Sequence, residues 1–254
     1  MPQLAFLVVD LGIRGKRAVV AAGTAGLGFG AAAALVAEGV EVVVCGRDKA
    51  RLDAATAKLG CRGVIADVST VEGSIDFIRQ ANALLGGIDI LVANGGGPPA
   101  GDFASTPLES YAPAVERSML SVVAMCKEVV PAMQERGWGR IVAITSTSVR
   151  QPIGNLILSN AARSGVTSFL KTMSREVAAY GITVNTVQPG THATDRITQL
   201  YGSMPSGKEL GIPTGTIGDP ADFGKVVAFL CGDAAKFVTG TNIQVDGGAY
   251  SGLL

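Results

Sequence analysis

A glycine-rich turn set between an apolar run and a helix-forming run constrains this chain more than any other stretch. Residues 18–22 are all Ala or Val and read as a short buried strand. Gly23, Thr24, Gly26, Leu27, Gly28 and Gly30 follow at once, and an alanine-rich run from Ala31 to Glu38 ends at Gly39. A strand, a glycine turn and a helix in that order aim the unpaired N–H groups of the helix start at one point. The helix dipole adds positive potential there. The ligand that suits such a unit is a phosphate. Small residues also serve tight packing, so glycine spacing alone says little. Context adds the weight: a second apolar run, 40–45, follows the helix, as in a dinucleotide-binding unit.

Strand-like and helix-like runs then alternate along the chain. The strand-like ones are 18–22, 40–45, 63–66, 88–93, 140–145, 182–187 and 242–245. Helical periodicity or length marks 28–38, 49–59, 71–85, 110–136, 155–180 and 220–230. Alternation of this kind predicts a doubly wound parallel sheet of about seven strands with helices on both faces. No linker or repeat divides the chain, so residues 1–254 read as a single domain. The irregular stretches 95–107 and 189–219 fall after strands, where such sheets bind ligands.

Composition narrows the function classes. The 254 residues are 48% hydrophobic and 17% charged, with formal net charge zero and no basic stripe, which argues against a nucleic-acid partner. The four cysteines (Cys45, Cys61, Cys126, Cys231) are scattered and form no CxxC, so they read as free thiols with no metal site. Residues 4–9 are apolar but lack a basic flank and precede Asp10, so no signal peptide is expected. No run reaches membrane-spanning length. A cytoplasmic location is the expectation.

The order of the motifs resembles the short-chain dehydrogenase/reductase family over about residues 11–248. Residues 21–28 stand where that family has its TGxxxGxG turn, with Ala22 in place of the first glycine. Asp67 and Val68 resemble the adenine-contacting pair, and Asn94 with Gly95 resembles the NNAG motif. Ser146 follows the fifth strand, at the place of the catalytic serine. Residues 185–190 resemble the N-x-x-x-P-G turn beside the nicotinamide, and 240–248 the closing strand. The most similar branch is the 3-oxoacyl-carrier-protein reductase homologues. The resemblance implies a Rossmann-type fold and a nicotinamide cofactor. That cofactor would be held by Gly23, Thr24, Gly26, Leu27, Gly28, Asp67, Val68, Asn94, Gly95, Pro189, Gly190, His192 and Thr194. It also implies self-association through the long helices and the last strand, as a homotetramer or else a dimer.

Cofactor type follows from the end of the second strand. Relatives that prefer NAD carry a carboxylate there; here Gly46 stands in its place and Arg47 follows. A guanidinium forks onto a 2′-phosphate, whereas a carboxylate repels one. NADP(H) is therefore expected over NAD(H), with Asp48 as a helix cap in either case.

At the catalytic centre the family pattern breaks. The resemblance calls for Asn, Ser, Tyr and Lys; those places hold Ser118, Ser146, Ser159 and Arg163. No Tyr-x-x-x-Lys occurs anywhere in the chain. A serine hydroxyl is a far weaker acid than a tyrosine tuned by a neighbouring cation. Arg163 lies one helical turn from Ser159 and can hold a ribose hydroxyl or a substrate anion, but stays charged. His192, the one histidine, is a candidate acid or base whose ring could equally pack outward. Two chemistries fit: reduction of a carbonyl, or hydride addition to an activated C=C bond, where serine hydroxyls stabilise an enolate. The residues of lid 189–219 suit a small, partly apolar substrate. The rival reading is a nucleotide-binding homologue without hydride transfer, serving as a sensor or assembly subunit.

Overall fold

The computed structural model describes residues 10–253, so the apolar run 4–9 lies outside the described residues. Each expected strand forms: β1 Arg17–Val20, β2 Glu41–Gly46, β3 Arg62–Ile65, β4 Ile90–Ala93, β5 Gly139–Ile144, β6 Ile182–Pro189 and β7 Asn242–Val245. They make one sheet in the order β3-β2-β1-β4-β5-β6-β7, and every pairing is parallel. Parallel neighbours need crossovers, and the helices supply them: α1 Gly26–Ala37, α2 Lys49–Leu59, α3 Val71–Leu85, α4 Tyr111–Val115, α5 Ser121–Arg136, α6 Ile157–Val177, α7 Asp195–Tyr201 and α8 Pro220–Cys231. This is the Rossmann-type doubly wound fold. Among the described residues no helix is long and apolar enough to cross a membrane.

Strand alternation divides the core into two layers. Val19, Val43, Leu91, Ile141 and Val184 point to one face and pack against Phe77, Met125, Met133 and Leu170 from α3, α5 and α6. Ala18, Val20, Val42, Val44, Ile90 and Val92 point to the other and meet Leu35 of α1 and Phe223 and Val227 of α8. Phe77 and Phe223 are fully buried, each contributing about 2–3 kcal/mol of apolar burial. Helices α1 and α8 cross in close contact because Gly30 and Gly224 lack side chains. A Cβ on Gly30 would collide with the Pro220 carbonyl, and one on Gly224 with the Gly30 carbonyl. The caps are local: Asp48, Thr70 and Asp219 accept backbone N–H bonds at the starts of α2, α3 and α8, each worth about 1 kcal/mol.

Beyond shifts of one or two residues at element ends, three differences from the sequence reading bear on the site. β1 stops at Val20 because Ala22 turns left-handed. The expected helix 110–136 is a rod interrupted by a π-helical turn, Glu116–Leu120, between α4 and α5. The stretch 189–219, expected to be irregular, contains α7.

Where β1 and β4 begin, Asp89 ties them together. Its carboxylate accepts the Arg17 backbone N–H at 3.0 Å and the Arg17 side-chain Nε and Nη2 at 2.8 Å each, and Arg136 Nε lies 3.5 Å away. Burial by itself would raise the Asp89 pKa. The bonds and charge of Arg17, joined by Arg136, outweigh it and hold the carboxyl below the usual range. A depressed carboxylate stabilises the fold fully above its unfolded value near 3.9, and the contribution is lost as pH falls through the lower folded value. Asp89→Asn is therefore expected to cost about 2–3 kcal/mol at neutral pH. In chemical denaturation, the gap to the unchanged protein should narrow as pH drops below about 4; a gap that does not narrow at all on acidification would contradict this assignment.

Candidate active site

The strand order reverses between β1 and β4, each of which goes on to pair outward, so the loops at their carboxyl ends part and leave a crevice. The glycine turn forms one wall. Ala22 has φ 48°, the one positive φ among the described non-glycine residues. Its carbonyl accepts from Asn94 Nδ2 at 3.3 Å, its N–H donates to Cys45 Sγ at 3.3 Å, and the next N–H, of Gly23, donates to the Cys45 carbonyl at 3.1 Å. Those bonds hold the turn although the methyl makes the left-handed conformation costly, by about 1–2 kcal/mol. A Cβ on Gly23 would press on Val44 at 2.8 Å, and one on Gly28 would strike the Ala22 carbonyl. Helix α1 can close on the turn because both are glycines.

The start of α1 is left open. Its N-cap, Ala25, makes no side-chain cap bond, and the first turn carries no acidic residue. The N–H groups and the dipole of this helix start thus face the crevice with no acidic or side-chain cap among the described residues to neutralise them. That arrangement fits the pyrophosphate of a dinucleotide. Arg47, just after β2, lies 3.7 Å from Asp67 Oδ2, and both side chains are exposed. Asp67 also accepts the Ser69 N–H at 3.0 Å. Burial opposes its ionisation, but the Ser69 bonds, Arg47 and Arg117 together hold its pKa below the usual value. Val68 is buried with its side chain in the core. Asp48 caps α2 through the Arg51 N–H at 2.8 Å, as expected.

Deeper in, Asn94, Gly95, Ser118, Thr145 and Arg163 line a cavity of about 10 Å³, room for about one water. The hydroxyls of Ser118 and Thr145 are buried there without a protein partner. Ser118 belongs to the π-helical turn, a device that often marks functional positions. Asn94 points its amide at Ala21 and Ala22 (3.2 and 3.3 Å), so it braces the phosphate turn.

Ser146 follows β5 and starts a short 3₁₀ turn, with its Oγ accepting the Ser148 N–H at 3.0 Å. Its own hydroxyl proton remains free to donate. Ser159, on α6, is 7% exposed, and its hydroxyl has no partner among the described residues. Arg163, one turn further, donates from Nη1 to the Ile144 carbonyl at 2.9 Å. Its guanidinium is enclosed although the residue keeps some exposed surface. That burial, followed by repulsion from Arg196, pushes its pKa down to about 10, still charged at neutral pH.

The β6 turn closes the far side. Gly190 N–H bonds the Val245 carbonyl at 3.0 Å, fixing the turn to β7. Thr194 caps α7 without a side-chain bond and faces Gly26. His192 is 4% exposed, its ring edge-on to Phe223 at 5.1 Å and against Gly218, with Nδ1 3.2 Å from the Gly190 carbonyl. Burial pushes its pKa down. The ring thus packs inward on the α8 layer, where the sequence allowed either an acid–base role or a ring packed outward. Loop 95–101 is pinned to the start of α6 by Gly101 N–H to the Asn155 carbonyl at 2.8 Å. Arg196 of α7 reaches that loop and donates to the Pro98 carbonyl at 3.0 Å. The sequence reading missed Arg196 because its helix was taken for loop.

Comparison with known proteins agrees with this geometry. Residues 21–250 match the family described as enoyl-(acyl carrier protein) reductase. The chain is 34% identical over 242 residues to 3-oxoacyl-[acyl-carrier-protein] reductase FabG of Haemophilus influenzae, covering 94% of this chain and 99% of that one. It superposes with TM-score 0.87 on L-sorbose reductase of Gluconobacter frateurii, complexed with NADPH and L-sorbose (27% identity; 96% and 100% coverage). The same TM-score relates it to an NADPH-bound short-chain oxidoreductase of Pseudomonas aeruginosa PAO1 that contains an atypical catalytic center (26% identity; 93% and 97% coverage). The chain belongs to the short-chain dehydrogenase/reductase family of oxidoreductases.

Ala22 offers a direct check on the turn. Ala22→Gly removes the methyl from a left-handed residue and is expected to stabilise the fold by about 1 kcal/mol, raising Tm by about 2–4 °C in a thermal scan. A lowered Tm would mean that the turn is not held in this conformation.

Proposed function

We propose that this protein is an NADPH-dependent reductase with a noncanonical catalytic centre, acting on a carbonyl or an activated C=C bond of a small, partly apolar substrate. The observation that carries the reading is a pair of hydroxyls, on Ser146 and Ser159, that keep donating capacity, with the Arg163 guanidinium anchored on the Ile144 carbonyl at the end of β5, two residues before Ser146. The uncapped α1 start suits the pyrophosphate, Gly23, Thr24, Leu27 and Gly28 shape its cradle, and Asn94 braces it. Arg47, released from Asp67, suits a 2′-phosphate, and no carboxylate ends β2 to oppose one. Gly95 and the segment Pro189, Gly190 and Thr194 border the nicotinamide end. The NADPH in the related solved structures supports the same choice of cofactor.

Bound NADPH would supply the hydride. The chain's own part is to orient the acceptor and to stabilise negative charge as it gathers on the substrate oxygen. Ser146 and Ser159 can each donate a hydrogen bond to that oxygen, and Arg163 adds fixed positive charge nearby. Neither serine is acidic enough to replace tyrosine as a proton donor at neutral pH. That favours an oxygen that can persist as an enolate, with the carbon-bound proton taken from solvent. A homotetramer, or else a dimer, accords with the exposed Leu108, Leu120 and Tyr180 on or next to the long helices.

Fluorescence titration tests the foundation. NADPH is expected to bind at least about tenfold more tightly than NADH, and Arg47→Ala to erase most of that preference, as loss of a charge-assisted bond would. Failure to bind either nucleotide would overturn the reductase reading. The hydroxyls are tested separately: Ser146→Ala should lower kcat about a hundredfold in reduction of an enone while NADPH affinity stays unchanged.

A further inference from the structure

Two guanidinium groups reach the carboxyl ends of neighbouring strands, one the end of β5 and the other the loop that follows β4. Arg163 projects from α6 and donates to the Ile144 carbonyl at the carboxyl end of β5. Arg196 projects from α7 and donates to the Pro98 carbonyl, three residues beyond Gly95, which lines the same cavity as Arg163. The place where a Gly97 side chain would begin is 3.6 Å from Arg196 Nη2, so the guanidinium lies along this loop. The two groups also feel each other's charge, and the repulsion lowers the Arg163 pKa.

Neither arginine has an acidic partner. Among the described residues no carboxylate lies within ion-pair distance of Arg163 or Arg196. Each guanidinium commits one N–H to a backbone carbonyl, out of five donors. Arg163 is enclosed and Arg196 half-buried, and an enclosed guanidinium with spare donors is costly unless an anion joins it. The hydroxyls of Ser118 and Thr145, buried in the adjoining cavity without a partner, add to the unmet donors of this region.

We infer that Arg163 and Arg196 form a clamp for a carboxylate on the substrate, set beside the bond that Ser146 and Ser159 serve. Carboxylate matches the planar fork of a guanidinium in a way a lone ammonium would not reproduce. The position favours substrate over cofactor as the source of the anion. The crevice already offers phosphate the open start of α1, whereas Arg196 reaches instead to loop 95–101, which is pinned to the start of α6. The substrate class is then a small oxo acid or conjugated enoic acid, and Arg196 is its specificity-determining residue. This inference rests on the reductase reading for the identity of the bound molecule as substrate.

The test uses the full chain and one matched pair of probes, trans-4-oxo-2-pentenoate and its methyl ester, which share a ketone and a conjugated C=C bond and differ in charge. Calorimetry measures binding of each with and without NADPH, so the readout needs no turnover. The acid is expected to bind about tenfold or more tightly than the ester, the scale of a lost charge-assisted bond. Arg196→Gln should remove that preference, leaving ester binding and NADPH affinity within about twofold, and Arg196→Lys should restore part of it. Equal binding of acid and ester, or no binding of either, overturns the clamp. So does an Arg196→Gln protein that loses NADPH affinity while keeping the acid preference, because the anion would then be the cofactor's phosphate. Preference for the acid without NADPH oxidation would keep the clamp and remove the reductase reading.

Discussion

Everything at this site depends on one feature of the sheet: β1 pairs with β2 on one side and with β4 on the other, all parallel. Connections on the two sides must run in opposite directions around the sheet, so the loops leaving β1 and β4 separate. The gap between them is the crevice. Its rigidity comes from below, where Asp89 and Arg17 bind the starts of the two strands, and from within, where Asn94 after β4 holds the carbonyls of the turn after β1. The glycine turn after β1 and the loop after β4 are thereby fixed to each other through two neighbouring strands.

On that frame, the function we propose replaces one kind of chemistry with another. A tyrosine and a lysine form a proton-transferring pair because each can be moved toward neutrality by its surroundings. Serine and arginine cannot form such a pair: one is too weak an acid, and the other keeps its charge even when burial lowers its pKa to about 10. What they do well is hold charge still. Free hydroxyl donors and fixed guanidinium groups suit a site that stabilises negative charge and grips an anion. Arg196 belongs to the same logic, since a second cation beside Arg163 raises its cost until an anion enters.

Much of this was legible in the residues. The seven strands fell within two positions of their expected bounds, because buried parallel strands read as short apolar runs. The glycine turn and the Asp48 cap were legible in the residues themselves, and the resemblance to the family marked the places of Ser146, Ser159 and Arg163. Other features could not. Tyr111 to Arg136 looks like one helix, because nothing in its composition distinguishes the π-helical turn at 116–120 from the α-helix around it. Helix α7 was hidden in a stretch rich in Thr, Gly and Ser, where short helices leave little periodicity. His192 stood next to the expected nicotinamide turn, yet its ring turned to Phe223, 31 residues later and on the other core layer.

The sequence by itself determined which runs are buried, where the glycine turn lies, that Ala22 stands where the family has a glycine, and that the chain has no Tyr-x-x-x-Lys. These are local properties, set by side-chain size, polarity and spacing along a few residues. Tertiary structure alone decided that Ala22 would accept a left-handed conformation, held by bonds to Asn94 and Cys45. It alone sent His192 into the core and laid Arg196 against the loop after β4. Those outcomes depend on residues 23 to 98 positions apart meeting in space, and the energies that settle them exist only once the sheet has assembled.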